Sequence, residues 1–259
     1  MSRFDVLVAA GSSPNGPCEL AAAEGVRRKV EIDVHGRPMI WWTLRALRAS
    51  DHIDHLVLLG GEQGDLEGIE GPAETLSVPG ELLEKVRAGL QRAASINPQA
   101  ELVLFVSGDM PLLTTEAIEW FIEACLSVEA DLYYPIVKRE VMEARFPLSK
   151  RTYVPLREGR FCGGDVVMVR LDVGLAQQEM VRNLMERRKS PLQQARLVGL
   201  WPLIKLLARR LSLEDAERIA GRALGIRGKV IVSPYAELAM DVDKPHHLEL
   251  ARQELAGRL

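Results

Sequence analysis

Leu102-Val103-Leu104-Phe105-Val106-Ser107-Gly108-Asp109-Met110-Pro111 is the stretch that decides the fold. Its opening run is apolar at every position, which reads as a strand buried on both faces, as in a parallel sheet. The run ends in a small-residue turn that carries one carboxylate, Asp109. Ile118, Phe121, Ile122, Cys125 and Leu126 then recur at helical spacing. Strand, polar turn and amphipathic helix together form the unit of an open α/β sheet. Such sheets bind ligands at the carboxyl ends of their strands.

The same unit recurs on both sides. Val6-Leu7-Val8-Ala9-Ala10 is a short apolar run that meets Gly11 and the loop Gly11-Ser12-Ser13-Pro14-Asn15-Gly16-Pro17. Lys29 to Val34 fits a small ribbon before the Gly36-Arg37-Pro38 turn, and Pro38 suits the first turn of a helix. Ile40, Trp41, Leu44 and Leu47 give that helix its buried stripe. Ile53 to Leu59 is the next strand, closed by Gly60-Gly61. A strand near Thr75 to Val78 leads through Pro79-Gly80 to a helix bearing Leu82, Leu83, Val86 and Leu90. Asp131 to Val137, Val166 to Val169, Val230 to Val232 and Leu238 to Val242 read as further strands. Asp243-Lys244-Pro245 opens a terminal helix. From about Gly174 to Gly225 the pattern turns helical, with Ser212 and Asp215 placed as a cap. The expectation is a doubly wound α/β sheet forming one domain over 1–259, with a helical insertion at about 174–225.

Composition narrows the class. The formal charge of -3 gives the molecule as a whole no case for nucleic-acid binding. Cys18, Cys125 and Cys162 are odd in number and far apart, which fits a reducing compartment. No apolar run is long enough to span a bilayer, and Met1 to Asp5 lacks a signal peptide's apolar stretch. Cytoplasm is therefore the expected location. The basic, apolar segment 182–210 has three readings: a core helix with solvated ends, an acceptor-phosphate site, or a peripheral membrane contact. Part of its apolar surface also suits a homodimer contact.

A glycine loop directly behind a strand fits a phosphate site, because loop amides can point at anionic oxygens, or a plain surface turn. Neither GxGxxG nor GxxxxGK[ST] is present, so the dinucleotide fingerprint and the P-loop both fail. Leu7-Val8-Ala9-Ala10-Gly11, then Lys29, then Gly36-Arg37-Pro38-Met39-Ile40 resembles the MobA-like NTP transferase family. That resemblance implies a Rossmann-like three-layer α/β/α mixed sheet, the GT-A-like nucleotidyltransferase fold. It also implies that Ala9, Ala10, Gly11 and Ser12 wrap a donor nucleotide and that Lys29 neutralises the triphosphate. The loop departs from the family pattern in lacking an Arg-Met-Gly before the lysine. Arg27 or Arg28 can replace that charge.

Ser107-Gly108-Asp109-Met110-Pro111-Leu112-Leu113-Thr114 resembles the family's metal-binding segment, with Gly108 at the nucleotide and Asp109 on Mg²⁺. Mg²⁺ takes hard oxygen ligands, one or two carboxylates plus substrate phosphates. Asp241-Val242-Asp243-Lys244-Pro245-His246-His247-Leu248 resembles the family's late acidic segment, which makes Asp243 the second ligand and Asp241 the alternative. Lys244 and His247 replace the family's Thr and Asp. Asp243 also suits a helix cap. Gly80 resembles the family position that approaches the nucleobase, or serves as a turn. Cys162-Gly163-Gly164-Asp165 resembles an acceptor-side turn, placing Gly164 and Asp165 at the acceptor or in a structural bend. His52 and His55 read as surface residues, and the histidines make no zinc site. One of Trp41 and Trp42 should be core and the other partly exposed.

The resemblance implies Mg²⁺-dependent transfer of NMP from an NTP to a phosphorylated small molecule, with Lys29, Asp109 and Asp243 as the catalytic set. Two other readings stay open. A non-catalytic nucleotide-binding protein fits the altered loop, and a GT-A-type glycosyltransferase fits the Asp241-x-Asp243 pattern.

Overall fold

The computed structural model describes residues 2–11, 16, 18–80, 82–176 and 211–256. From β1 (Phe4–Ala9) the chain passes through α1 (Glu19–Ala23) and a 3₁₀ turn at Lys29–Glu31. It then forms the ribbon β2 (Asp33–Val34) and β3 (Arg37–Pro38), and α2 (Met39–Arg48). Next come β4 (Ile53–Leu59), β5 (Ala73–Leu76), α3 (Leu82–Ile96), β6 (Leu102–Ser107) and α4 (Thr115–Leu126). Then follow β7 (Leu132–Lys138), α5 (Arg139–Arg145), β8 (Val154–Leu156), β9 (Gly159–Gly163), β10 (Val166–Arg170) and α6 (Leu171–Ala176). The final described elements are α7 (Leu213–Leu224), β11 (Gly228–Ser233), a 3₁₀ turn at Ala236–Ala239, and α8 (Pro245–Leu255).

One mixed sheet runs β5-β4-β1-β6-β10-β7-β9-β8, with β11 paired to β7. β1 is parallel to both β4 and β6, with Val8 opposite Leu58 on one side and Val106 on the other. β10 enters antiparallel between β6 and β7. Because the chain leaves β1 toward β4 and later returns on its other side at β6, a crevice opens where the strand order reverses. That crevice lies at the ends of the two strands whose apolar runs decided the fold.

The three layers follow from alternation along the strands. Val6 and Val8 of β1, Leu56 and Leu58 of β4, and Leu104 and Val106 of β6 face α2 and α4. Leu7, Val57, Leu59 and Val103 face the other way, onto Leu90 and Ala93 of α3 and Leu171 of α6. Period-two strands with both faces buried need helices on both sides. This is the expected Rossmann-like α/β/α mixed sheet.

Several local expectations hold. Ser212 Oγ accepts from Asp215 N at 3.0 Å and caps α7, which ends at the left-handed Gly225. Trp42 is core and Trp41 partly exposed. Others are corrected. Leu238 to Val242 is no strand: a 3₁₀ turn is followed by irregular chain. His52 is buried, 4% exposed, with Nδ1 3.0 Å from Ser2 O. The helix α5 and the hairpin β8–β9 carry too little periodicity to be read in advance. The 177–210 part of the expected insertion, including the 182–210 basic run, lies outside the described residues. No helix among the described residues is long and apolar enough to cross a membrane.

Asp5 breaks the rule that buried charges are paired. It is 1% exposed, and neither carboxylate oxygen has a hydrogen-bond partner among the described residues. Burial raises its pKa, and His55 only partly offsets this. A carboxyl raised in the folded state favours folding while protonated. That contribution is lost as pH climbs from the unfolded value to the folded one. Asp5→Asn is expected to raise the melting temperature at about pH 8 by roughly 2–4 °C, about 1 kcal/mol, and to gain less toward about pH 4. An unchanged or lower midpoint at the higher pH contradicts this account.

Candidate active site

The floor of the crevice is made by backbone contacts. Gly108 N donates to Ala9 O at 2.9 Å, and Ser107 N donates to Asp165 O at 3.0 Å. The ends of β1, β6 and β10 are thereby drawn together. A Cβ on Gly108 would stand 2.5 Å from Ala9 O, so only glycine permits this approach. Thr43 Oγ1 donates to Gly108 O from α2 at 3.2 Å.

Asp109 follows at once and is held from two directions. Its Oδ1 accepts from Ser107 Oγ at 2.6 Å. Its carbonyl accepts from Val242 N at 3.0 Å, which ties the segment after β11 to the end of β6. Asp109, Asp241 and Asp243 consequently offer one oxygen each to a group whose members all lie within 4.8 Å of one another. Asp109 and Asp241 are buried and Asp243 is exposed. Sequence reasoning named Asp243 as the second ligand and Asp241 as its alternative; the fold brings both to Asp109.

Two cations flank this group. Lys29 Nζ forms ion pairs with Asp109 and, at 2.5 Å, with Asp243 Oδ1. Arg151 Nη2 lies 2.5 Å from Asp241 Oδ1 and 3.5 Å from Asp165 Oδ2. Burial works against the Lys29 ammonium, but Asp109 and Asp243 outweigh it and hold its pKa above the ordinary value. Burial and the neighbouring Asp109 push Asp241 up to about 6, with Arg151 opposing. Burial and Asp241 likewise push Asp165 well up. Burial also disfavours the Asp243 carboxylate, but Lys29 holds its pKa below the usual value. Crowded carboxylates thus divide into ones held ionised and ones driven toward the neutral form.

His247 braces the late acidic segment. Its Nδ1 accepts from Asp243 N at 3.3 Å, and its Nε2 donates to Ser149 O at 2.8 Å. Burial lowers its pKa to about 4, so it stays neutral near pH 7.

The remaining expected residues are in different states. Ala10 N donates to Leu59 O at 3.1 Å, while Gly11 is exposed. A Cβ on Gly11 would lie 2.7 Å from Lys85 Nζ, which brings that α3 side chain over the glycine loop. Ser12 lies outside the described residues. Gly80, with φ of 109°, ends the segment after β5. Gly164 N donates to Pro135 O and Asp165 N to Leu238 O, each at 2.9 Å. A Cβ on Gly164 would lie 2.7 Å from Leu238 O, so close packing requires this glycine. Arg28, one of the two residues expected to replace the loop's missing charge, donates from Nη1 to Ala10 O of that loop at 3.4 Å. It is 5% exposed and committed to Asp65 through bonds of 2.6 and 3.0 Å, and to Glu31. Arg27 is exposed and pairs with Glu62. The roles of Arg151, Lys85 and His247 were not found in the sequence, because what each side chain meets is decided by residues far away in the chain.

The chain belongs to the MobA-like NTP transferase domain family, whose model matches residues 7–223. That match ends before Asp241 and Asp243. A hypothetical transferase from Thermus thermophilus is 38% identical, with a TM-score of 0.84 over 95% of this chain and 99% of that one. The chain is also similar in fold to the 4-diphosphocytidyl-2C-methyl-D-erythritol synthase of Anaerococcus prevotii, at 15% identity and a TM-score of 0.62 over 98% and 99% of the two chains. A CMP:2-keto-3-deoxy-manno-octonic acid synthetase complexed with CTP shares the fold at 14% identity, with a TM-score of 0.59 over the whole of both chains. No curated protein sequence matches the chain.

The contact between Gly108 and Ala9 yields a test of the floor. Gly108→Ala is expected to cost about 1–3 kcal/mol through the forced shift of β6 from β1. A thermal melt and a crystal structure check it. An unchanged midpoint with Asp109 still in place would contradict the assigned role.

Proposed function

We propose that this chain is a Mg²⁺-dependent nucleotidyltransferase. It transfers NMP from an NTP to a phosphorylated small-molecule acceptor and releases pyrophosphate. The observation that carries the reading is the meeting of Asp109, Asp241 and Asp243 beside the Ala9-Ala10-Gly11 turn. Family membership supports nucleotidyltransferase activity on small molecules. The donor set is all carboxylate oxygen, which suits a hard cation, and Lys29 and Arg151 already counterbalance its charge. Asp109 and Asp243 would hold Mg²⁺, with Asp241 the third oxygen donor. Mg²⁺ bound there would supply Lewis-acid neutralisation of the donor's innermost phosphate.

The chain's own residues do the rest. Ala9, Ala10, Gly11 and Ser12 cradle the donor, Gly108 lets it approach the floor, and Gly80 borders the base. Lys29 turns from its carboxylates to the β- and γ-phosphates and stabilises the departing pyrophosphate. An acceptor phosphate oxygen forms a bond to the α-phosphorus in line as the bond from that phosphorus to the bridging oxygen breaks. A phosphate monoester is largely dianionic near neutral pH, so no side chain must take a proton from it. The histidines fit that chemistry: His247 is braced between Asp243 and Ser149. Gly164 and Asp165 form the acceptor side of the crevice. Cytoplasmic location belongs to the same proposal, supported by three unpaired cysteines.

The test begins with thermal-shift screening of ATP, CTP, GTP and UTP with Mg²⁺, followed by pyrophosphate release across phosphorylated acceptors. Asp109→Asn is expected to lower turnover on the order of 10²–10³-fold or more, because it removes charge at the reacting centre while keeping the side chain's shape. Lys29→Met is expected to weaken triphosphate use. Wild-type rates in both variants, or donor binding without pyrophosphate release from any acceptor, would overturn the reading.

A further inference from the structure

Arg151 is set apart from the other basic side chains of the crevice by what surrounds it. Its side chain is 12% exposed, among carboxylates that outnumber the local cations. Lys29 serves Asp109 and Asp243, whereas Arg151 serves Asp241 and Asp165. The two cations therefore divide the acidic group between them. Lys29 follows the glycine loop in the chain. Arg151 comes from the connection between α5 and β8 and faces the turn that leads into β10.

That connection is built to hold its arginine. Ser149 N donates to Phe146 O at 3.0 Å. Ser149 O accepts from His247 Nε2 at 2.8 Å and lies 3.3 Å from His246 Nε2. Lys150 adopts the left-handed conformation, with φ of 48°, which is costly for a residue with a Cβ. Such strain persists where surrounding contacts enforce it, and it collects at ligand-binding positions. The same His247 ring braces Asp243 N, so one side chain fixes both a carboxylate of the cluster and the loop that presents Arg151.

The pairing of the guanidinium is uneven. Nη2 reaches both Asp241 Oδ1 at 2.5 Å and Asp165 Oδ2 at 3.5 Å, while among the described residues Nη1 meets only the Asp241 carbonyl, at 3.4 Å. One short contact and two at the limit of hydrogen bonding do not use the planar fork that makes arginine suited to oxyanions. A phosphate can take both arms of that fork at once.

We propose that Arg151 is the anion-binding residue of the acceptor site: its guanidinium grips the phosphate of the incoming acceptor, and Asp241 is its resting partner. The inference rests on the transferase reading for the word acceptor; the anion site itself does not depend on it. Arg151 then selects phosphorylated acceptors over neutral alcohols, and it orients the attacking oxygen from the side opposite Lys29. Asp165, the other neighbour of the fork, is left facing the body of the acceptor.

Inorganic phosphate is the probe, titrated calorimetrically into the full chain with Mg²⁺ and compared among wild type, Arg151→Gln, Arg151→Lys and Lys29→Met. NTP-induced thermal shifts run in parallel report the fold and the donor site. Wild type is expected to bind phosphate in the millimolar range. Arg151→Gln is expected to weaken that binding about tenfold or more, with the NTP shift retained. Arg151→Lys keeps the charge but loses the fork, and is expected to fall between the two. Lys29→Met is expected to retain the phosphate site. Phosphate affinity equal to wild type in both Arg151 variants would overturn the proposal, as would loss in Lys29→Met alone or no binding to wild type. Failure of every NTP to shift the wild-type protein, with Arg151-dependent phosphate binding intact, would instead sink the transferase reading and leave the anion site standing.

Discussion

Charge crowding at the end of β6 is the constraint on which the rest of the structure depends. Asp109, Asp165, Asp241 and Asp243 meet there, and Lys29 and Arg151 are the cations placed among them. Two like charges 4 Å apart repel by about 4 kcal/mol at an effective dielectric of about 20. A whole domain is stable by only about 5–15 kcal/mol. The cluster therefore survives only with counter-charges in place and with some carboxyls driven toward the neutral form. Asp241 and Asp165 carry that burden.

The scaffold holds these groups together through backbone contacts that substitution cannot easily imitate. Gly108 rests against Ala9, Ser107 against Asp165, and Val242 against Asp109. Each contact joins a different strand or segment to β6. The chain positions separating these partners are large, so the site exists only in the folded sheet. Side chains then refine it: Ser107 Oγ orients Asp109, and His247 orients Asp243. The apolar layers on both faces of β1, β4 and β6 give this rim its rigidity.

Legibility in the sequence followed the same physics. β1, β4 and β6 were plain because strands buried on both faces must be apolar throughout, and α4 was plain because its stripe is regular. The place of Asp109 after such a strand was plain, but its metal role needed the family resemblance, because a lone carboxylate there equally suits a turn or helix cap. Asp243 needed a resemblance, since its partner lies far away in the chain and nothing local predicts the meeting. Leu238 to Val242 misled because an apolar run can be buried without forming a ladder; here it packs as a 3₁₀ turn and irregular chain. The burial of Arg28 against Asp65 was hidden because it depends on the fold, while in sequence Arg28 is one of a basic triplet. Arg151 was invisible for the corresponding reason: its meaning comes entirely from Asp241 and Asp165.

The central claim is that these carboxylates are the seat of a divalent cation. Manganese titration followed by electron paramagnetic resonance, in the presence of the NTP that most stabilises the protein, tests it most directly. The account predicts one bound Mn²⁺ per chain in the wild type. Binding should be lost when Asp109 and Asp243 are replaced together by Asn, with the fold intact by circular dichroism. Undiminished Mn²⁺ binding in that double variant would contradict it.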